Sequence, residues 1–454
     1  MDITATVAFE TSTSVSTKHH HRPCLIFSLL LSFLGILLPP QSVAVTAQAK
    51  ATLKDSIRRA DAGQTELHIF YVHGIGINPP KHSPGPQVFE TSLEFRTSFC
   101  RLPQIECKLK AGEKQNRFYA NEHSFDPKKK NGPGLTYLGP DIWKKDTPDW
   151  LAAAPFVDNY ILTRKRGATI YLHEINWWPL VLAAKCREII ATDSALVDHD
   201  KIHTQVCSAP TSGPGPDGRY TSYTWIPDAP MRHAPKPNAT PFNRWLKHDI
   251  MDWSFADAVL AVGPLRQYLL EGIRETILGS FAPAPNQEFI VVSHSLGSYL
   301  MFSALDLPLD SSEAQIPGWK KRLDDVLAQT SHAFFMANQL SLLELASLDA
   351  DTNKQMTQHL EIWISARKQA KRPQPTIVAF SDPDDLLTWQ VPGLVAAPDV
   401  NGDSILVENL TVINAWRWCF LWLFANPESA HINYDKNKRV LRAMFPQEGA
   451  SSSQ

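Results

Sequence analysis

The chain has 454 residues, 43% of them hydrophobic and 20% charged, with a net charge of −2, a balance that suits a globular protein with one large core. That near-neutral charge leaves no electrostatic footprint for nucleic acid, and the sequence contains neither a Walker loop nor a paired CxxC, which removes nucleotide-binding and zinc-finger readings. The 34 prolines against 21 glycines point to long, partly rigid surface connections.

In chain order, residues 1–49 read as a targeting segment. Lys18-His19-His20-His21-Arg22 is basic, the stretch from Cys24 to Leu38 is mostly apolar, and Ala47-Gln48-Ala49 offers small residues for cleavage before Lys50. The apolar stretch is too short for a comfortable membrane span. The three consecutive histidines belong to this leader and are not read as a metal site. Residues 50–65 follow as a linker.

The first predicted strand, 66–73, runs through Leu67-His68-Ile69-Phe70-Tyr71-Val72 into His73-Gly74-Ile75-Gly76. Glycines there let the main chain come close to a reacting group and aim N–H donors at an oxygen that becomes negative. A second strand is expected over 168–177, with His173-Glu174 and Trp177-Trp178-Pro179 at its end. Around it, residues 101–160, with Lys128-Lys129-Lys130, and 186–245, with Pro214-Gly215-Pro216, read as insertions of the size that forms lids. His199 and His203 have a zinc-protease spacing, but Asp200 stands where that pattern needs glutamate, so no metal site is assigned. A helical stretch from Asp249 to Gly279 comes next, divided or kinked by Pro264.

The apolar run Phe289-Ile290-Val291-Val292, in a strand placed at 288–293, leads into Ser293-His294-Ser295-Leu296-Gly297 and then into Ser298-Tyr299-Leu300-Met301-Phe302. A serine between a buried strand and a helix, with small residues two places either side, has the context of a nucleophile elbow. Ser293 departs from it by occupying the first glycine position. With Ser295 as nucleophile, the oxyanion donors would be the N–H groups of Leu296 and Ile75. Further strands are placed at 332–338, 376–381 and 408–414, mostly as continuous apolar runs of the kind that fill a parallel sheet covered on both faces. Asn338 and Gln339 follow the first of these, either as substrate contacts or as a helix cap. The second opens Ser381-Asp382-Pro383-Asp384-Asp385, an acidic turn in which spacing does not choose among the three aspartates. After the last strand come the aromatic run Trp416-Arg417-Trp418-Cys419-Phe420-Leu421-Trp422 and then His431, the only histidine beyond the acidic turn.

Over roughly residues 66–446 these motifs resemble the α/β-hydrolase superfamily. The resemblance implies an α/β fold: a doubly wound, mostly parallel sheet of hydrolase type, with lid or cap insertions at about 101–160 and 186–245 and a flexible tail at 447–454. It also implies a triad in the chain order serine, acid, histidine. Ser295 takes the nucleophile's place, His431 the base's, and Asp385 best matches the acid, followed by Asp384 and then Asp382. Leu296 and Ile75 form the expected oxyanion hole, and His73, Gly74, Trp177, Asn338, Trp418 and Trp422 are the candidate substrate contacts.

A hydroxyl becomes a useful nucleophile at neutral pH when an imidazole takes its proton and a carboxylate fixes the imidazole's tautomer. The implied activity is that of a serine hydrolase cleaving a carboxylic ester through an acyl-serine intermediate, with no cofactor and no metal. The aromatic insertions favour the esterase and lipase branch, hence a small-molecule or lipid ester and contact with a membrane surface. An acyltransferase on the same triad, or a silent binding protein of the same fold, are the alternatives, because fold alone does not set function.

The leader implies a secreted or periplasmic protein, where disulfides persist. With Cys24 removed, sequence proximity pairs Cys100 with Cys107 and Cys186 with Cys207 and leaves Cys419 over. The N-x-T triplets at Asn238 and Asn409 matter only on a eukaryotic secretory route.

Overall fold

The computed structural model describes residues 53–74, 91–119, 155–185, 240, 251, 255–263, 266–280, 283–306, 318–344, 355–391, 406–415, 417–418, 424–425 and 427–445. The leader, Ile75, Trp422, the His199/His203 pair, the tail, most of the two segments read as insertions, and Cys186, Cys207 and Cys419 lie outside these residues.

Eight strands form one sheet: β1 (Glu66–Val72), β2 (Glu113–Tyr119), β3 (Phe156–Leu162), β4 (Ile170–Asn176), β5 (Gln287–His294), β6 (Thr330–Met336), β7 (Thr376–Ser381) and β8 (Leu406–Thr411). Their spatial order is β2-β3-β4-β1-β5-β6-β7-β8. From β4 to β8 every neighbouring pair is parallel, while β3 is antiparallel to both β2 and β4, so β3 alone runs against the rest. A separate two-stranded ribbon joins β9 (Arg417–Trp418) to β10 (Phe424–Ala425).

The described helices are α1 (Lys54–Asp61), α2 (Leu93–Phe99), α3 (Trp178–Lys185), α4 (Ala256–Val262), α5 (Arg266–Ser280), α6 (Leu296–Asp306), α7 (Trp319–Gln329), α8 (Leu340–Glu344), α9 (Gln355–Gln369), α10 (Pro427–Ile432) and α11 (Lys438–Met444). Successive strand side chains point to opposite faces, and the strands divide the core accordingly. Phe70 and Val72 of β1 join Val291 of β5 in one cluster with Leu270 and Ile273 of α5 and Leu300 of α6. Ile69, Tyr71, Ile290 and Val292 join the other, with Phe95 and Phe99 of α2 and Leu441 and Met444 of α11. Helices therefore cover both faces, which is why the parallel strands read as unbroken apolar runs. The architecture is α/β, with a mostly parallel mixed sheet.

Part of the segment 101–160, read as an insertion, is sheet. Its strands escape pattern reading for different reasons. Strand β2 (Glu-Lys-Gln-Asn-Arg-Phe-Tyr) is a polar edge strand whose first four residues are exposed. In β3, the apolar run is broken by Asp158, which is wholly buried and ion-paired to Lys114 at 2.9 Å and Arg117 at 2.7 Å on β2. The helical stretch before the elbow divides between Val262 and Arg266, where the sequence places Pro264. Cys100 and Cys107 form the expected disulfide, with Cα atoms 4.9 Å apart. Asn409 lies in β8 with both amide atoms tied to the Val391 backbone, Nδ2 to O and Oδ1 to N–H, each at 2.9 Å.

Strand β1 sits centrally. The chain turns from it toward β2, β3 and β4 on one side and later returns to place β5 on the other. In such sheets the crevice at the carboxyl ends of the two strands flanking this reversal is where ligands bind. Here Val72 pairs with Ser293 at those ends, setting His73-Gly74 beside His294-Ser295.

Candidate active site

Ser295 falls between the last residue of β5 and the first of α6, with a left-handed φ of 52°. A non-glycine residue holds that conformation only when its surroundings fix it. Its N–H donates to the Met336 carbonyl at the end of β6 (2.7 Å), and its own carbonyl accepts from Ser298 N–H (3.2 Å) and Ser298 Oγ (2.7 Å). Gly74 passes so near that a Cβ there would lie 2.6 Å from the Ser295 Cβ. Ser293, in the position of the pattern's first glycine, is wholly buried and its hydroxyl finds no hydrogen-bond partner among the described residues.

His431, in α10, reaches both Ser295 and Asp385. Its Nε2 is 2.9 Å from Ser295 Oγ, and its Nδ1 is 2.9 and 3.0 Å from the two carboxylate oxygens of Asp385. A carboxylate can only accept, so Nδ1 carries the proton and Nε2 presents its lone pair to the serine hydroxyl. All three residues are buried, at 0%, 5% and 7% exposure for Ser295, Asp385 and His431. The structure thus brings together Ser295, His431 and, of the three aspartates, Asp385.

The other two acids stand elsewhere in the turn. Asp382 accepts from the backbone N–H groups of Asp384 (2.9 Å), Asn414 (2.5 Å) and Ala415 (3.3 Å), which makes it the cap that ties the acidic turn to the chain after β8. Burial raises its pKa, and those three N–H donors oppose the rise. Asp384 is half-buried.

The expected oxyanion donor Leu296 opens α6, where first-turn N–H groups have no intrahelical acceptor and the helix dipole favours negative charge. Ile75, the other expected donor, lies outside the described residues.

His73 and Gly74 line the end of β1. The His73 Nδ1–H donates to the Gly74 carbonyl (2.8 Å), its ring stacks on Trp177 at 4.6 Å, and burial lowers its pKa to about 3. Trp177 is itself wholly buried, and its Nε1–H donates to the His73 carbonyl (3.0 Å). This tryptophan, expected as a substrate contact, is a strut behind the β1 loop. Asn338 is likewise committed: its Oδ1 accepts from Leu340 N–H at the start of α8 (3.1 Å) and from Ser298 Oγ (3.2 Å), and its Nδ2 donates to the Trp389 carbonyl (3.2 Å). It serves as a helix cap and a brace between loops, not as an open substrate contact. Of Trp418 only the backbone is described, in β9.

Two residues join the site without a role legible in the sequence. His294 Nε2–H donates to the His431 carbonyl (2.9 Å), and burial, with His431 nearby, lowers the His294 pKa to about 4. Tyr434, one turn past His431, places its hydroxyl 3.3 Å from Asp385 Oδ2. The histidine was visible inside the elbow motif. Nothing marked the tyrosine. Exposed apolar side chains follow Asp385 and His431 along the chain: Leu386 (72%), Leu387 and Trp389 after Asp385, and Ile432 (48%) after His431.

No protein-family model, curated protein or solved structure matches this chain.

Proposed function

We propose that the protein is a serine hydrolase of the α/β-hydrolase type that cleaves a carboxylic ester. The observation that carries this reading is the unbroken bonded series Ser295 Oγ, His431, Asp385 at the strand-order reversal of the sheet. Ser295 Oγ attacks the ester carbonyl carbon as its proton passes to His431 Nε2, and the Asp385 carboxylate stabilises the imidazolium. The carbonyl oxygen, now negative, is received by the Leu296 N–H at the head of α6, with the Ile75 N–H as the second donor that the resemblance implies. Collapse breaks the bond to the alcohol oxygen, which leaves with the proton from His431. Water then repeats the sequence against the acyl-serine, releasing the acid and restoring the hydroxyl.

The exposed Leu386, Leu387, Trp389 and Ile432 beside the triad support an ester with an apolar acyl or alcohol part, and contact with lipid surfaces. The Cys100–Cys107 disulfide, together with the leader, supports a secreted or periplasmic setting.

The test is labelling with a fluorophosphonate probe, peptide mapping of the adduct, and turnover of p-nitrophenyl esters of graded chain length. The expected result is an adduct on Ser295, absent from Ser295→Ala, with ester cleavage lost in the same variant. Folded protein that takes no adduct and turns over no ester would favour a binding protein. Ester formation in dilute alcohol would move the reading to acyl transfer.

A further inference from the structure

The short 3-10 turn Asn433–Lys436, directly after α10, buries Tyr434 completely. The phenol oxygen accepts the backbone N–H of Asp382 at 2.7 Å and lies 3.3 Å from Asp385 Oδ2. An amide N–H can only donate, so the phenol proton is left to point at the carboxylate. Burial first, and then the Asp385 charge, push the Tyr434 pKa upward, which favours the protonated, donating phenol.

Both Asp385 oxygens are thereby engaged from fixed directions. Oδ1 receives the Leu387 N–H (2.9 Å) and His431 Nδ1, while Oδ2 receives His431 Nδ1 and the Tyr434 hydroxyl. One stretch of chain, residues 431–434, supplies the imidazole and the phenol to the same carboxylate. The turn is itself held by the residue after Tyr434, Asp435, which accepts from Tyr71 on β1 at 2.7 Å. On the other side of Tyr434 its ring meets the ring of His294 edge-on at 6.0 Å, and His294 holds the His431 carbonyl.

We propose that Tyr434 is a positioning residue for the triad, its hydroxyl fixing the orientation of the Asp385 carboxylate and drawing off part of the charge that the carboxylate presents to His431. The proposal rests on the hydrolase reading above. A tyrosine kept only for packing would fill the same volume, and loss of its hydroxyl would change stability and nothing else. A positioning hydroxyl also sets how readily His431 takes the serine proton, which is a property of the pH–rate profile.

The experiment compares wild type, Ser295→Ala and Tyr434→Phe by fluorophosphonate labelling rate from acid to alkaline pH, with thermal melts alongside. A fourth protein carries 3-fluorotyrosine at position 434, which keeps the packing and donates more strongly. Expected for Tyr434→Phe is Ser295 labelling slower by about tenfold or more at neutral pH, the scale of a lost hydrogen bond to a charged group. The acidic limb of its profile moves to higher pH, because a carboxylate without the phenol holds an imidazolium more tightly. The fluorotyrosine protein moves that limb the opposite way, and it decides the matter alone if Tyr434→Phe does not fold. Equal rates and an unmoved limb in Tyr434→Phe, or an unmoved limb in the fluorotyrosine protein, overturn the proposal while wild-type labelling leaves the hydrolase reading standing. A wild type that takes no label overturns both.

Discussion

Gly297 and Val72 pack so closely that a Cβ on the glycine would lie 2.4 Å from the Val72 carbonyl oxygen and 2.5 Å from that of His73. Both obstacles are backbone atoms at the end of β1, which cannot rotate aside as a side chain can. The glycine is needed here for space and not for a left-handed φ. Because α6 begins at Leu296, any shift that relieves the contact carries the elbow with it.

Gly297→Ala is therefore expected to move Ser295 away from His431 while leaving the fold in place. A misplacement of about 1 Å costs about a hundredfold in rate, and overpacking of this kind costs about 1–3 kcal/mol of stability. Labelling rate and urea denaturation read the two effects separately. An alanine variant as stable and as reactive as wild type would show that the elbow does not depend on this contact.

The acidic turn offers a sharper test, because its three aspartates make different bonds. Asp385→Asn leaves an amide facing His431 and favours the wrong tautomer; labelling of Ser295 should fall by about 10⁴-fold, the scale of that change in a serine-protease triad. Asp384→Asn should label at close to the wild-type rate. Asp382→Asn should act through stability, losing about 1–3 kcal/mol, because its amide nitrogen would confront either the Asn414 and Ala415 N–H donors or, flipped, that of Asp384. Rates at saturating probe together with denaturant midpoints sort the three variants. Equal damage from Asp384→Asn and Asp385→Asn would contradict the bonding described.

Much of the layout was legible because burial on two faces leaves a plain mark. The runs Ile69-Phe70-Tyr71-Val72, Phe289-Ile290-Val291-Val292 and Ile377-Val378-Ala379-Phe380 could hardly be anything but interior strands. Ser295 and His431 stood out through chain order and context, and they meet in the structure at 2.9 Å. What stayed hidden depends on tertiary partners. Strand β3 carries a charge in its middle that is acceptable only because Lys114 and Arg117 arrive from β2. Asp382, Asp384 and Asp385 share one turn, so only the directions of their hydrogen bonds separate a cap from an acid beside His431. Trp177 and Asn338 sit at strand ends, where a side chain can face a cleft or the core, and both face the core. Tyr434 reaches Asp385 across 49 residues of chain, a relationship that no local pattern records.

The last prediction concerns the anchor of the His431 segment. Asp435 is buried, accepts from Tyr71 through Oδ2, and has no hydrogen-bond partner at Oδ1 among the described residues. Burial raises its pKa to about 7, with nearby Glu94 adding to the rise and the Tyr71 hydroxyl and Lys436 opposing it. In the unfolded chain the same carboxyl ionises near pH 4. Between about pH 4 and about pH 7 the unfolded state therefore gives up a proton that the folded state keeps, and linkage makes folding less favourable as pH rises across that window. The full effect is on the order of 4 kcal/mol, levelling off above the folded pKa. Asp435→Asn retains an acceptor for Tyr71 and cannot ionise. Its stability relative to wild type should consequently grow by a few kcal/mol between pH 5 and pH 8 in guanidinium titrations. A difference that stays flat over that range would mean that the folded protein carries Asp435 ionised, and that the Tyr71 hydroxyl alone compensates its burial.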